Sequence, residues 1–207
     1  MPDSQIDPKI LAKIDLLQEK FKASGQDMLS YLEGLLYADY LTYWEYINLD
    51  TLLSLQQPKT SFKDEKIFII YHQITELYFK LIVSELEQIA DQKPLTEDFF
   101  KSRLERVLMY FDHLISSFAM MWKGMEKEQF LKFRMSLLPS SGFQSAQFRE
   151  IELMSTDAWN LVTVANRTHF GPKSSSEELF ENLYWQQSYS HLDLYSCSET
   201  CIDHILY

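Results

Sequence analysis

Turn-forming residues are scarce in this chain, with five glycines and six prolines among 207 residues. A fold built from many short strands needs frequent tight turns, so the scarcity argues against sandwiches and barrels and for long helices. Cysteine occurs twice, as Cys197 and Cys201, both near the end. That excludes a disulfide framework, and two thiols alone make only a weak case for zinc. Positive charge is also short, at 19 Lys and Arg against 30 Asp and Glu, a net charge of -11. Nucleic acid is excluded as an expected partner, because affinity for it comes from cations neutralising phosphates. No stretch reaches the roughly 18 consecutive apolar residues of a membrane span. The opening MPDSQIDPKILAKIDLLQEK scatters charge where a secretory signal would be apolar. A cytoplasmic protein with no membrane partner is expected.

What remains is a chain with 46% hydrophobic residues, enough to bury a core as one domain. Its apolar spacing is helical almost throughout, which predicts an all-α fold. A first helix fits Pro8 to about Lys22, with Ile10, Ile14, Leu17 and Phe21 on one side and Gly25 as its stop. A second runs from about Gln26 to Tyr43 into an aromatic-rich continuation, where Tyr43 and Tyr46 fall one turn apart. After Pro58, Ser61 and Asp64 resemble a capping box for a long helix that ends at Lys93-Pro94. Its stripe Ile67, Ile70, Ile74, Leu77 and Leu81 predicts the core face. Thr96 caps the next helix, whose stripe Phe100, Leu104, Val107, Phe111, Leu114 and Phe118 suits burial along a bundle. Beyond Gly124 a shorter helix stops at Pro139, and Ser140, Ser141 and Gly142 form a polar turn before another helix.

Three places carry chemistry. His72 sits in FIIYHQITELYFK in line with Phe68 and Glu76, so one helix face bears an aromatic ring, an imidazole and a carboxylate. The ordinary reading is a hydrogen-bonded His–Glu pair at the edge of the core. The functional one is an imidazole facing a ligand. A metal held by this pair lacks the facing Glu-x-x-His motifs or the His-Glu-x-x-His motif it would need. Phe130 and Arg134 stand four apart, so a guanidinium suited to a bidentate grip on a carboxylate shares a face with a ring. The alternative is a surface arginine lying over Phe130. The Ser-Ser-Gly turn offers hydroxyl and backbone donors to a ligand edge.

The runs YLTYWEYINLDTLLSLQQP, DEKIFIIYHQITELYFKLIVSELEQI and FLKFRMSLLPSSGFQSAQFREIE, in this order, resemble the N-terminal and central part of the tryptophan 2,3-dioxygenases over about residues 26–185. The resemblance implies an all-α helical bundle of the tryptophan/indoleamine dioxygenase type. It implies haem b as cofactor, L-tryptophan and O₂ as substrates, a homotetramer, and oxidative opening of the indole ring to N-formylkynurenine, the first step of the kynurenine pathway. By resemblance His72 is the distal histidine that meets the indole N–H, and Phe68, Ile69, Ile70, Tyr71 and His72 form the substrate-binding segment. Arg134 clamps the substrate carboxylate, with Phe130 beside it. Ser141 and Gly142 lie against the haem. Tyr43 and Tyr46 match paired tyrosines near the pocket, to which the family contributes an N-terminal helix from a neighbouring subunit.

Relatives continue into a helix carrying the proximal haem-ligating histidine and a Gly-Thr-Gly loop, and neither motif occurs in these 207 residues. His169, His191 and His204 fall too early to be that ligand. After Trp185 the tail gathers serine, tyrosine and both cysteines and loses helical period. The expectation is a dioxygenase-like domain over 1–185 that is truncated, and a divergent tail over 186–207 that is out of frame or disordered. A truncated chain is expected to be inactive. The alternative is a catalytically dead helical fragment that associates with full-length subunits.

Overall fold

The computed structural model describes residues 6–39, 41–138, 140, 142–171 and 173–186. Cys197, Cys201, His191 and His204 lie outside the described residues, as does nearly all of the tail. Two compact units separate, Met1–Leu55 and Gln56–Tyr207, where the sequence suggests one domain over 1–185.

In the first unit, α1 spans Pro8–Ala23, α2 Met28–Leu36, α3 Tyr43–Tyr46 and α4 Leu49–Ser54. The Asp7 carboxylate caps α1 by accepting the Lys9 N–H at 2.8 Å, and Pro8 takes the first helical position, where no intrahelical N–H is needed. The predicted stop is present. Gly25 has φ 67°, its N–H donates to Lys22 O, and the Gln26 N–H donates to Phe21 O, the paired bonds of a Schellman motif. The second predicted helix is corrected. It ends at Leu36 rather than near Tyr43, and Thr42 then starts a fresh turn through a capping box with Glu45. None of the described residues of this unit is buried.

The second unit is built on α5, Glu65–Asp91, and α6, Glu97–Ser117. They are followed by α7 Ala119–Lys123, α8 Lys127–Phe133, α9 Ala146–Ser155 and α10 Ser176–Glu181. Among the described residues there is no strand, only an isolated antiparallel bridge between Val162 and Leu183. Thr96 caps α6 as expected, accepting the Phe99 N–H. Gly124 stops α7 where a Cβ would meet Met120 O at 2.5 Å, so only glycine fits.

The start of α5 differs from the predicted Ser61–Asp64 box. Glu65, essentially fully buried, takes that role by accepting the N–H groups of Lys59 and Thr60 and the Thr60 hydroxyl. The core face is also corrected. Leu77 and Leu81 are 55% and 46% exposed, and the buried apolar residues of α5 are Tyr71, Ile82 and Val83. Ile82 and Val83 pack with Val107 of α6 and Ile151 of α9, flanked by Phe79, Leu86, Phe111 and Leu114. Because α5 is apolar on more than one side, period alone could not say which side the neighbours cover. Phe100 and Phe118, at the two ends of the α6 stripe, are exposed.

By length and mean hydropathy α5 is the one described helix that would suit a membrane span. Its buried positions include two carboxylates, Glu65 and Glu85. Buried Glu85 accepts from Arg103 and Arg106 of α6, each at 3.1 Å, and a charge so placed needs such partners.

Candidate functional site

The Phe68–His72 segment lies in the first half of α5. His72 Nδ1 stands 2.8 Å from Phe68 O, one turn back on the same helix. A carbonyl oxygen only accepts, so Nδ1 carries the proton in this bond and Nε2 of the neutral ring is the acceptor. The expected His72–Glu76 pair does not form. Instead, Gln147 of α9 donates Nε2–H to both the Glu76 carbonyl and its carboxylate at 2.9 Å, tying α9 to α5.

The ring of Phe68 lies 4.1 Å from that of His72, and Tyr71 meets the imidazole edge-on at 5.5 Å. Behind Phe68 stands Phe133, with no exposed surface, contacting Phe68 at 6.0 Å and Phe130 at 5.5 Å, both edge to face. Aromatic pairs in this geometry add about 0.5–1.5 kcal/mol each beyond their buried area. The chain Phe130–Phe133–Phe68–His72 thereby links α8 to the imidazole.

On the other side of His72 is a hollow of about 410 Å³ between α5 and α9. Tyr71, His72, Glu76 and Phe79 line it from α5. Gly142, which opens a short 3-10 turn, faces them with Phe148 and Arg149 of α9. Arg149 is 6% exposed. Its guanidinium is ion-paired with Glu152 at 2.8 Å, donates to the Tyr184 hydroxyl, and lies over the rings of Phe148, Tyr184 and Trp185 at 4.8–5.3 Å. Tyr184 in turn donates to Glu152 at 2.7 Å. Burial, and then the hydrogen bond to the Glu152 carboxylate, push the Tyr184 hydroxyl above the usual tyrosine pKa.

The other expected site residues are placed as follows. Ile69 and Ile70 are half-buried on α5. Arg134 is exposed at the start of the 3-10 turn Arg134–Leu137 that follows α8, and does not line the hollow. Phe130 is half-buried on α8. Tyr43 and Tyr46 are exposed at the two ends of α3, in the first unit. Ser141 lies outside the described residues. His169 is exposed. Phe133, Gln147 and Arg149 were not singled out in the sequence. Arg149 and Glu152 carry a faint signal there, as opposite charges one turn apart in FREIE.

Among the described residues no three His, Cys, Asp or Glu side chains gather to hold a bare metal ion. The class this defines is an all-α protein whose longest helix presents an imidazole to an aromatic-walled hollow. A model of the tryptophan 2,3-dioxygenase family matches residues 33–178. The chain belongs to the tryptophan 2,3-dioxygenase family. It is 40% identical over 126 residues to a tryptophan 2,3-dioxygenase of Sorangium cellulosum, covering 55% of this chain and 30% of that protein. Tryptophan 2,3-dioxygenase B of Danio rerio is 36% identical over 152 residues, 70% of this chain and 37% of the relative. The Pseudomonas fluorescens protein is 33% identical over 150 residues, 71% and 49% respectively. The chain thus spans less than half the length of each of these relatives.

Proposed function

We propose that this chain supplies one wall of a haem-dependent site that opens the indole ring of L-tryptophan with O₂ to give N-formylkynurenine. The observation that carries the reading is the 2.8 Å approach of His72 Nδ1 to Phe68 O, which in a neutral ring leaves Nε2 as a hydrogen-bond acceptor on a residue that lines the hollow. An indole N–H needs one such acceptor and apolar walls, and an amino-acid carboxylate needs a guanidinium.

The residues fit one face of a haem. A flat apolar macrocycle suits the Tyr71, Phe79 and Phe148 walls, and Gly142 lets backbone come close. Ser141 is assigned to the same face by family resemblance. Haem bound here would need an iron ligand that none of the roles named here supplies. Bound haem would supply oxygen activation. The chain's own work is orientation. His72 accepts the indole N–H, Phe68, Ile69, Ile70 and Tyr71 wall the ring, and Arg134, with Phe130 beside it, grips the carboxylate and excludes water from it. The place of Tyr43 and Tyr46 in this reading, and a homotetrameric, cytoplasmic protein, rest on the family alone.

The test supplies haem to this chain alone, and to residues 1–185 joined to the corresponding C-terminal part of the Danio rerio relative, and follows N-formylkynurenine. The joined protein is expected to turn over, and the chain alone to be inactive. Haem binding by the joined protein with no dependence on L-tryptophan would sink the reading. The second reading is a fragment that does no chemistry and associates with full-length subunits. It is favoured by the exposed apolar residues of α1 and α2, Leu16, Leu29 and Leu36 among them. Co-purification of the chain with a full-length relative that retains its own activity would support it.

A further inference from the structure

The N-termini of α5 and α8 cap each other. Asp64, the residue before α5, makes no side-chain cap within its own helix. Its Oδ2 instead accepts the backbone N–H of Glu126, the residue before α8, at 2.6 Å. The Asp64 backbone N–H is in turn donated to Gln129 Oε1 at 3.3 Å, and Gln129 Nε2 donates to Glu126 at 2.9 Å. This is the capping-box logic, an N-cap side chain and a side chain three residues further on satisfying backbone donors reciprocally, shared between two helices more than 60 residues apart in sequence. Glu126 offers α8 no side-chain cap of its own, and Asp64 accepts the Glu126 N–H, the donor that a third-position side chain of α8 would accept in an ordinary capping box.

We propose that Asp64 and Gln129 are positioning residues for the carboxylate-gripping end of the site. The inference rests on the assignment of Arg134 and Phe130 to the substrate. α5 carries Phe68 and His72, α8 carries Phe130 and leads directly into Arg134, and the described link between the two besides this clasp is aromatic contact through Phe133. Edge-to-face rings tolerate sliding, whereas a pair of directional hydrogen bonds at the helix ends fixes register and angle. The clasp therefore sets the distance between the group that reads the indole and the group that reads the carboxylate. A small displacement of a gripping side chain is enough to lose oriented binding.

The experiment compares L-tryptophan with indole, which lacks the carboxylate, by calorimetric titration of the joined protein supplied with haem. Helicity and melting midpoint are read alongside. Asp64→Ala is expected to weaken L-tryptophan about tenfold and indole by less than about twofold, and Asp64→Asn, which keeps an acceptor oxygen, to restore most of the loss. Should Asp64→Ala fail to fold, Gln129→Ala removes the other half of the clasp and must show the same split. Equal weakening of both ligands, or no weakening, overturns the positioning role. Arg134→Ala separates the two failures. If it weakens tryptophan and the Asp64 variant does not, only the clasp is wrong. If the unaltered joined protein does not distinguish tryptophan from indole, the carboxylate assignment falls and the clasp's role with it.

Discussion

His72 is the residue on which the chemistry turns, and its hydrogen bond to Phe68 O is an arrangement only a helix provides, because the acceptor is the carbonyl one turn back. The prediction belongs to that bond. L-tryptophan should bind more tightly than its 1-methyl derivative, which has no indole N–H, by about the 0.5–1.5 kcal/mol of one hydrogen bond. In His72→Ala the two should bind alike, as in a double-mutant cycle. A preference that survives the substitution would place the acceptor elsewhere. A second residue speaks about stability. Burial alone would raise the Glu65 carboxyl, but the hydrogen bonds from Thr60 and from the Lys59 and Thr60 amides, with the nearby Lys59 charge, outweigh it and hold the pKa below the usual glutamate value. A carboxylate with a depressed folded pKa adds stability above its unfolded pKa of about 4.3 and loses it as pH falls through the folded value. Glu65→Gln should therefore cost about 1–3 kcal/mol near neutral pH and flatten the acid limb of the stability curve, as read by denaturant unfolding at several pH values. An unchanged acid limb would contradict this.

Helices were legible where a single local signal decided them. Gly25 and Thr96 stop and start their helices as read, since a glycine at positive φ and a threonine ahead of two acids have few other uses. Gly25→Ala should destabilise the end of α1 by about 1 kcal/mol, since a Cβ there meets nothing and the cost is that of the left-handed backbone alone. Faster amide exchange at Gln26, whose N–H reaches back to Phe21 O, is the measurement. Unchanged exchange there would mean that the Schellman bonds do not hold the end. The core face of α5 was illegible because Ile, Leu, Phe and Tyr occur on several of its sides and only α6 and α9 choose among them. The Asp64 clasp was read as a local capping box for the same reason. Nothing in the local sequence announces that the partner of the Asp64 carboxylate is the Glu126 N–H.

For the whole molecule, the scarcity of turn residues and the helical spacing of apolar ones were enough to foretell an all-α chain, and three long runs in order were enough for the family. The candidate site was legible in part. The structure brings His72, Tyr71 and Gly142 to one hollow, but it adds Phe148 and Arg149 and leaves Arg134 outside its lining. Contacts between α5 and α9 made that difference. They join residues about 70 positions apart, beyond the reach of any periodicity, as the Gln147–Glu76 bonds illustrate. Because the chain spans less than half of each relative described, its claim to a place in catalysis rests on whether the wall it builds recognises substrate beside haem. The most direct measurement is an optical titration with L-tryptophan of the haem-supplied joined protein, residues 1–185 followed by the C-terminal part of the Danio rerio relative, beside its Arg134→Lys variant. A saturable, tryptophan-dependent change in the haem spectrum is predicted, weakened about tenfold when the bidentate guanidinium becomes a point charge. A bound haem whose spectrum ignores L-tryptophan, or responds alike in both proteins, would contradict the account.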